Sequence, residues 1–198
     1  LMDVYMDAVL HPNIYREPKI FMQEGWHYEM ESAEEDLTIN GVVYNEMKGA
    51  FSSPEGVLDR VTRQVLFPDT SYTNESGGDP AVIPELTYEQ FLDFHKTYYH
   101  PSNSYIYLYG NMDLAEKLEW LDKTYLCHYD RREADTSIKL QAPFQKPVEK
   151  EIYYSITDGE PEDHAAYLSV NTVVGTDLDP KLYVAFQILE YTLIDAPG

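Results

Sequence analysis

Six histidines, one cysteine and a large excess of carboxylates are the groups in this sequence that could bind a metal or move a proton. Their spacing excludes the common helical zinc motifs, since neither His-Glu-x-x-His nor His-x-x-Glu-His occurs. His95 and His100 stand five apart, about 140° around a helix, which does not suit a shared ion. His27 beside Trp26, and His164 after an acidic turn, read as structural or solvated. Cys127 has no second cysteine to pair with. His128 is its immediate neighbour, poor placement for a working Cys–His pair, so the thiol reads as structural. No G-x-S-x-G elbow is present. Ser76-Gly77-Gly78-Asp79 lacks the lysine of a phosphate loop, its Asp would repel phosphate, and a turn explains its glycines. The acidic runs at 34–36 and 160–163 lack EF-hand spacing and read as solvated loops. One carboxylate stands apart. Glu46 falls on a helical turn beside Val42 and Val43, so it is expected to be part-buried. It would then need a hydrogen bond, a cation or a metal. An ion pair with Lys48 or a distant arginine would also satisfy it.

The elements that must position Glu46 follow from periodicity and punctuation. Apolar residues at 1, 2, 5, 6, 9 and 10 predict a helix stopped by His11-Pro12. Residues 21–31 alternate loosely and predict a strand. Residues 37–51 predict the helix that carries Glu46, with Gly41 and Gly49 near its ends. Ser53 as N-cap and Pro54 at the first helical position open the next helix, whose stripe is Val57, Leu58, Val61, Val65 and Leu66. A polar loop of about 17 residues follows, long enough to suggest a task of its own. Thr87 and Gln90 form a capping-box pattern, and Asp113 and Glu116 a second cap. Residues 104–110 alternate Tyr with Ile and Leu, so both faces are apolar and a central strand is predicted. After a polar linker, strands are expected at 149–157 and 165–174, then a helix from Asp179-Pro180 to about residue 194. The expected fold is α+β, a mixed, largely antiparallel sheet packed with helices.

The chain has 198 residues, 35 of them acidic and 14 basic, for a net charge of −21. Such a field repels phosphate backbones and anionic membrane surfaces, so neither nucleic acid nor membrane is an expected partner. No apolar run reaches the roughly 18 residues of a membrane span. A single cysteine fits a reducing compartment such as the cytoplasm or an organelle matrix. Leu1 and Ala196-Pro197-Gly198 interrupt helical patterns, which reads as a piece of a longer chain.

The string Gly-Val-Val-Tyr-Asn-Glu-Met-Lys-Gly-Ala at 41–50 resembles the segment bearing the distal glutamate zinc ligand in the presequence protease branch of the pitrilysin/insulinase metallopeptidases. Further segments agree in order: Gln23-Glu24-Gly25-Trp26, Leu66-Phe67-Pro68-Asp69-Thr70-Ser71-Tyr72, Ser76-Gly77-Gly78-Asp79-Pro80, and Phe94-His95-Lys96-Thr97-Tyr98-Tyr99-His100-Pro101. Together they run from about residue 20 to 111. The resemblance implies an inverzincin, in which His-x-x-Glu-His supplies two zinc ligands and a general base. By position Glu46 would be the third protein ligand of a catalytic Zn2+. It also implies a clamshell of α+β domains that encloses peptides and unfolded segments. The His-x-x-Glu-His is not in this sequence and would lie upstream of residue 1. This chain alone is therefore expected to be inactive. The implied partition is 1–130 as the later part of a first domain carrying Glu46, 131–148 as linker, and 149–198 as the beginning of a second domain. The alternative is a non-catalytic family member that acts as a structural or peptide-binding half.

Overall fold

In the computed structural model, which describes residues 1–160, 163–176 and 178–195, helices dominate. The Ala196-Pro197-Gly198 end and the middle of the acidic run at 160–163 lie outside those residues. The helices are α1 (Met2–Leu10), α2 (Lys19–Glu24), α3 (Val42–Ala50), α4 (Pro54–Leu66), α5 (Tyr88–Tyr98), α6 (Leu114–Thr124) and α7 (Pro180–Glu190). Among the described residues the only sheet is antiparallel and two-stranded, β1 (His27–Glu29) against β2 (Thr38–Asn40), with Tyr28 opposite Ile39. The mixed composition fits α+β. The large sheet expected from the sequence is not formed within these residues.

Helix starts follow the local chemistry. Ser53 accepts from the Gly56 amide to open α4, with Pro54 at its first position. Thr87 and Gln90 close both halves of a capping box on α5. Asp113 and Asp179 cap α6 and α7. The α4 stripe expected to be buried is only half-buried.

Three expectations are corrected. Residues 21–24 belong to α2, which follows Pro18 and stops at Gly25, leaving only residues 27–29 extended enough to pair. The helix expected over 37–51 begins at Val42, because residues 38–40 pair as β2. Residues 104–110, 149–157 and 165–174 run without regular pairing, since among the described residues no strand lies beside them to accept their backbone bonds.

Long-range polar contacts hold the early elements together. Tyr125 is buried on α6's C-terminal side, and its hydroxyl donates to the Asp3 carboxylate of α1 at 2.7 Å. That bond, with burial and the charges of Asp3 and Asp7, pushes the Tyr125 phenol up to about 12. Tyr88 donates to the Ile14 carbonyl, and Trp26 Nε1 donates to the Leu86 carbonyl at 2.9 Å. Trp120 packs edge-on against Tyr125, ring centroids 5.7 Å apart. Arg132 donates to the Lys96 and Thr97 carbonyls at 3.0 and 2.9 Å, satisfying the open end of α5.

Candidate metal centre

Glu46 projects from the middle of α3, and the helix is fixed at both ends of its first two turns. Asn40 Oδ1 accepts from the Gly41 amide at 2.8 Å and from Asn45 Nδ2 at 2.5 Å. Asn40 Nδ2 donates to the Glu29 carboxylate at 2.5 Å, so β1 and β2 both anchor the helix start. Gly41 lies against the turn before β1. A Cβ there would fall 2.2 Å from the Gly25 carbonyl oxygen and 2.7 Å from Trp26 Cα, both backbone, so the approach admits only glycine. One residue beyond Glu46, Met47 is buried beneath Gly77 of the Ser76-Gly77-Gly78-Asp79 turn, where a Cβ would meet its Sδ at 2.1 Å. The long loop is thus partly a lid over α3, pinned in turn by Arg63, which donates to Glu75 at 2.6 Å.

The glutamate itself is exposed, not part-buried as the sequence suggested. The helix turns Met47 inward, and Glu46, about 100° away, faces out with Val42 and Val43. Among the described residues its carboxylate has no hydrogen-bond or ion-pair partner. Lys48, the expected cation, sits instead 5.4 Å over the Tyr44 ring. Both oxygens of Glu46 are therefore available to a ligand. No group of three His, Cys, Asp or Glu among the described residues could hold a metal ion. These residues fit one ligand of a zinc site and not the whole of it.

The other groups singled out in the sequence are engaged elsewhere. His95 Nε2 donates to the Val9 carbonyl at 3.1 Å, which leaves Nδ1 to accept from the Tyr15 hydroxyl at 2.8 Å. His100 Nδ1 accepts from the Ser102 amide at 3.1 Å. Its partial burial, then the nearby Arg132, lower its pKa. His27 Nδ1 bonds the Met22 carbonyl at 2.8 Å, and the Cys127 thiol bonds the Lys123 carbonyl at 3.2 Å. Asp79 Oδ1 accepts from the Ala81 amide at 2.9 Å, an Asx turn that accounts for the glycine-rich string. The Asn40–Asn45–Glu29 linkage was not anticipated. Asn-Gly ahead of an apolar helical stretch was its available signal.

Residues 85–197 match the family described as the peptidase M16 inactive domain, more than half of the chain. The chain belongs to the M16 (pitrilysin/insulinase) peptidase family. Protein HypA of Clostridium perfringens is 52% identical over 193 residues, covering 98% of this chain and 20% of that protein. Presequence protease 1, chloroplastic/mitochondrial, of Arabidopsis thaliana is 40% identical over 202 residues, 100% of this chain and 18% of that protein. The mitochondrial presequence protease of Mus musculus is 38% identical over 200 residues, 99% of this chain and 19% of that protein. This M16 chain therefore spans about a fifth of the length of these relatives. The family resemblance seen around residues 20–111 agrees with these matches. Glu46 precedes the stretch matched to the inactive domain.

Proposed function

We propose that this M16 chain is part of a longer zinc-dependent endopeptidase that hydrolyses peptides and unfolded segments, and that Glu46 is its third protein zinc ligand. The observation that carries this is the unpartnered carboxylate on a helix whose position is tightly set, inside the ordered resemblance. When bound, the zinc would supply an acidified water and polarise the scissile carbonyl. The chain's own contribution is placement. Asn40 and Gly41 fix the start of α3, Met47 fixes its roll, and Glu46 is left to offer its oxygens without first breaking a bond. The two histidine ligands and the general base belong to residues outside 1–198, so these residues alone are inactive in this reading. The partition into 1–130, 131–148 and 149–198, and the enclosing clamshell formed with the remaining domains, are part of the same proposal. The names of the Arabidopsis and mouse relatives favour an organelle matrix, and one exposed thiol at Cys127 suits a reducing compartment.

The test is Glu46→Gln in the full-length polypeptide. Zinc content should fall well below one per chain, and peptide hydrolysis by about two orders of magnitude or more. Near-normal zinc and activity would remove the assignment. A second reading has one observation in its favour, the match of 85–197 to a domain described as inactive. In that reading the protein is a non-catalytic structural or peptide-binding half. A full-length sequence without His-x-x-Glu-His, binding no zinc, would establish it.

A further inference from the structure

Glu29 is a half-buried carboxylate with no cation beside it. Among the described residues its side chain has one hydrogen-bond partner, the Asn40 amide, and no ion pair. A charge set against a neutral amide costs more desolvation than a neutral side chain of the same size would. The strand register explains how the two residues meet. Glu29 pairs with Thr38, so Asn40, two residues on, lies diagonally across from it on the same face.

A carboxylate at this place sets a direction. Ionised, it accepts hydrogen bonds and donates none. It therefore holds the Nδ2 end of the Asn40 amide toward β1 and leaves Oδ1 facing α3. Oδ1 is the end that α3 requires, because the Gly41 backbone amide can only donate. Gly41 occupies the N-cap position and brings no side chain to it, and backbone at Gly25 and Trp26 excludes a larger residue there. Asn40 acts in its place from one residue earlier, gathering the Gly41 amide and the Asn45 side chain on one oxygen. Asn45 adjoins Glu46 in the sequence. With the Asn40 amide reversed, N–H would meet N–H at Gly41, and Oδ1 would meet the Glu29 carboxylate.

We infer that Glu29 is a positioning residue for Glu46: it fixes the orientation of the Asn40 amide, and that amide sets the start of the helix that presents Glu46. The inference rests on the reading of Glu46 as a zinc ligand. The experiment is made on the full-length protein, with zinc affinity from chelator competition and the melting temperature of the metal-free protein as its two readouts. Asn40→Asp keeps the shape but sets two carboxylates against each other, and should weaken zinc binding about 10-fold or more. Adding Glu29→Gln restores an amide–carboxylate pair with its polarity reversed. The double variant should return to within about threefold of the unmodified affinity. A double variant as weak as Asn40→Asp alone would overturn the inference. So would a lower melting temperature with zinc affinity intact, which would make the pair structural only. If Asn40→Asp does not fold, Glu29→Lys decides. It offers donors only, on a stem that can reach water, and should draw Oδ1 away from α3. Zinc weakened severalfold at an unchanged melting temperature would uphold the inference, and unchanged zinc would overturn it. Glu46→Gln in the same titration separates the two readings. Zinc lost there but kept in the Asn40 and Glu29 variants would overturn this inference alone. Zinc kept in Glu46→Gln would remove the ligand assignment and this inference with it.

Discussion

Residues 1–132 and residues 133–195 are both rich in apolar side chains, yet only the first stretch buries any. Ile14, Met47, Thr70, Ile83, Leu121 and Tyr125 are buried, and beyond Tyr125 no described residue is. The early stretch is cross-tied by polar groups that reach far along the chain, Tyr125 to Asp3 and Trp26 to Leu86 among them. In the later stretch α7 meets little but its own flanks. Its cleft of about 190 Å³ is lined by Val174, Gly175, Thr176, Leu182, Tyr183 and Phe186. The contrast teaches that apolar content alone does not make a core. Burial needs a second surface, and in residues 1–132 the cross-ties hold one in place.

The comparison can be broken most sharply by chemistry. In the full-length protein, Glu46→Gln should cost about 100-fold or more in peptide hydrolysis. Glu149→Gln, an exposed carboxylate of the later stretch, should change it less than twofold. Equal losses would dissolve the distinction. Next in size is packing. Leu121→Ala should destabilise chain 1–198 by about 2–3 kcal/mol in urea unfolding. Leu168→Ala, at a side chain 93% exposed, should stay within about 0.5 kcal/mol. In the full-length protein that gap should narrow if the later stretch is covered there.

Two smaller effects refine the early stretch. Gly41→Ala drives a Cβ into backbone and should cost about 2 kcal/mol. Gly49→Ala, eight residues on with nothing within 4 Å, should instead gain about 0.5–1 kcal/mol. Thermal melts of the two variants should move in opposite directions. The smallest effect is titration. His100 has a lowered pKa in the fold, so protonation favours the unfolded chain. Its contribution is intact above the ordinary histidine value near 6.5 and is lost as pH falls through the lowered one. His100→Asn keeps an acceptor for the Ser102 amide, and should flatten the acid side of a melting-temperature profile.

Helix starts were legible because each is written in three or four adjacent residues: Ser53-Pro54, Thr87 with Gln90, Asp113, Asp179. Strands were not, because a strand is defined by a partner that its own residues do not name. Residues 104–110 show the pattern without the pairing. Residues 21–24 show the reverse error, where aromatic and charged residues in apparent alternation coil into α2. Glu46 drew notice by its place on a helical turn, and only the resemblance gave it the role of a ligand. Its expected burial failed because one step along a helix separates an inward residue, Met47, from an outward one.

The placement of the two indoles has a practical corollary. Trp26 sits in the tie to Leu86 and Trp120 against Tyr125, so both chromophores belong to the cross-tied stretch. Tryptophan emission is therefore a one-sided witness. It records the loosening of residues 1–132 and is blind to whatever residues 133–195 do, which carry tyrosine but no indole. An unfolding curve followed at that wavelength should lag one followed by tyrosine absorbance. The spacing between the two curves would serve as a spectroscopic ruler of how independently the halves come apart.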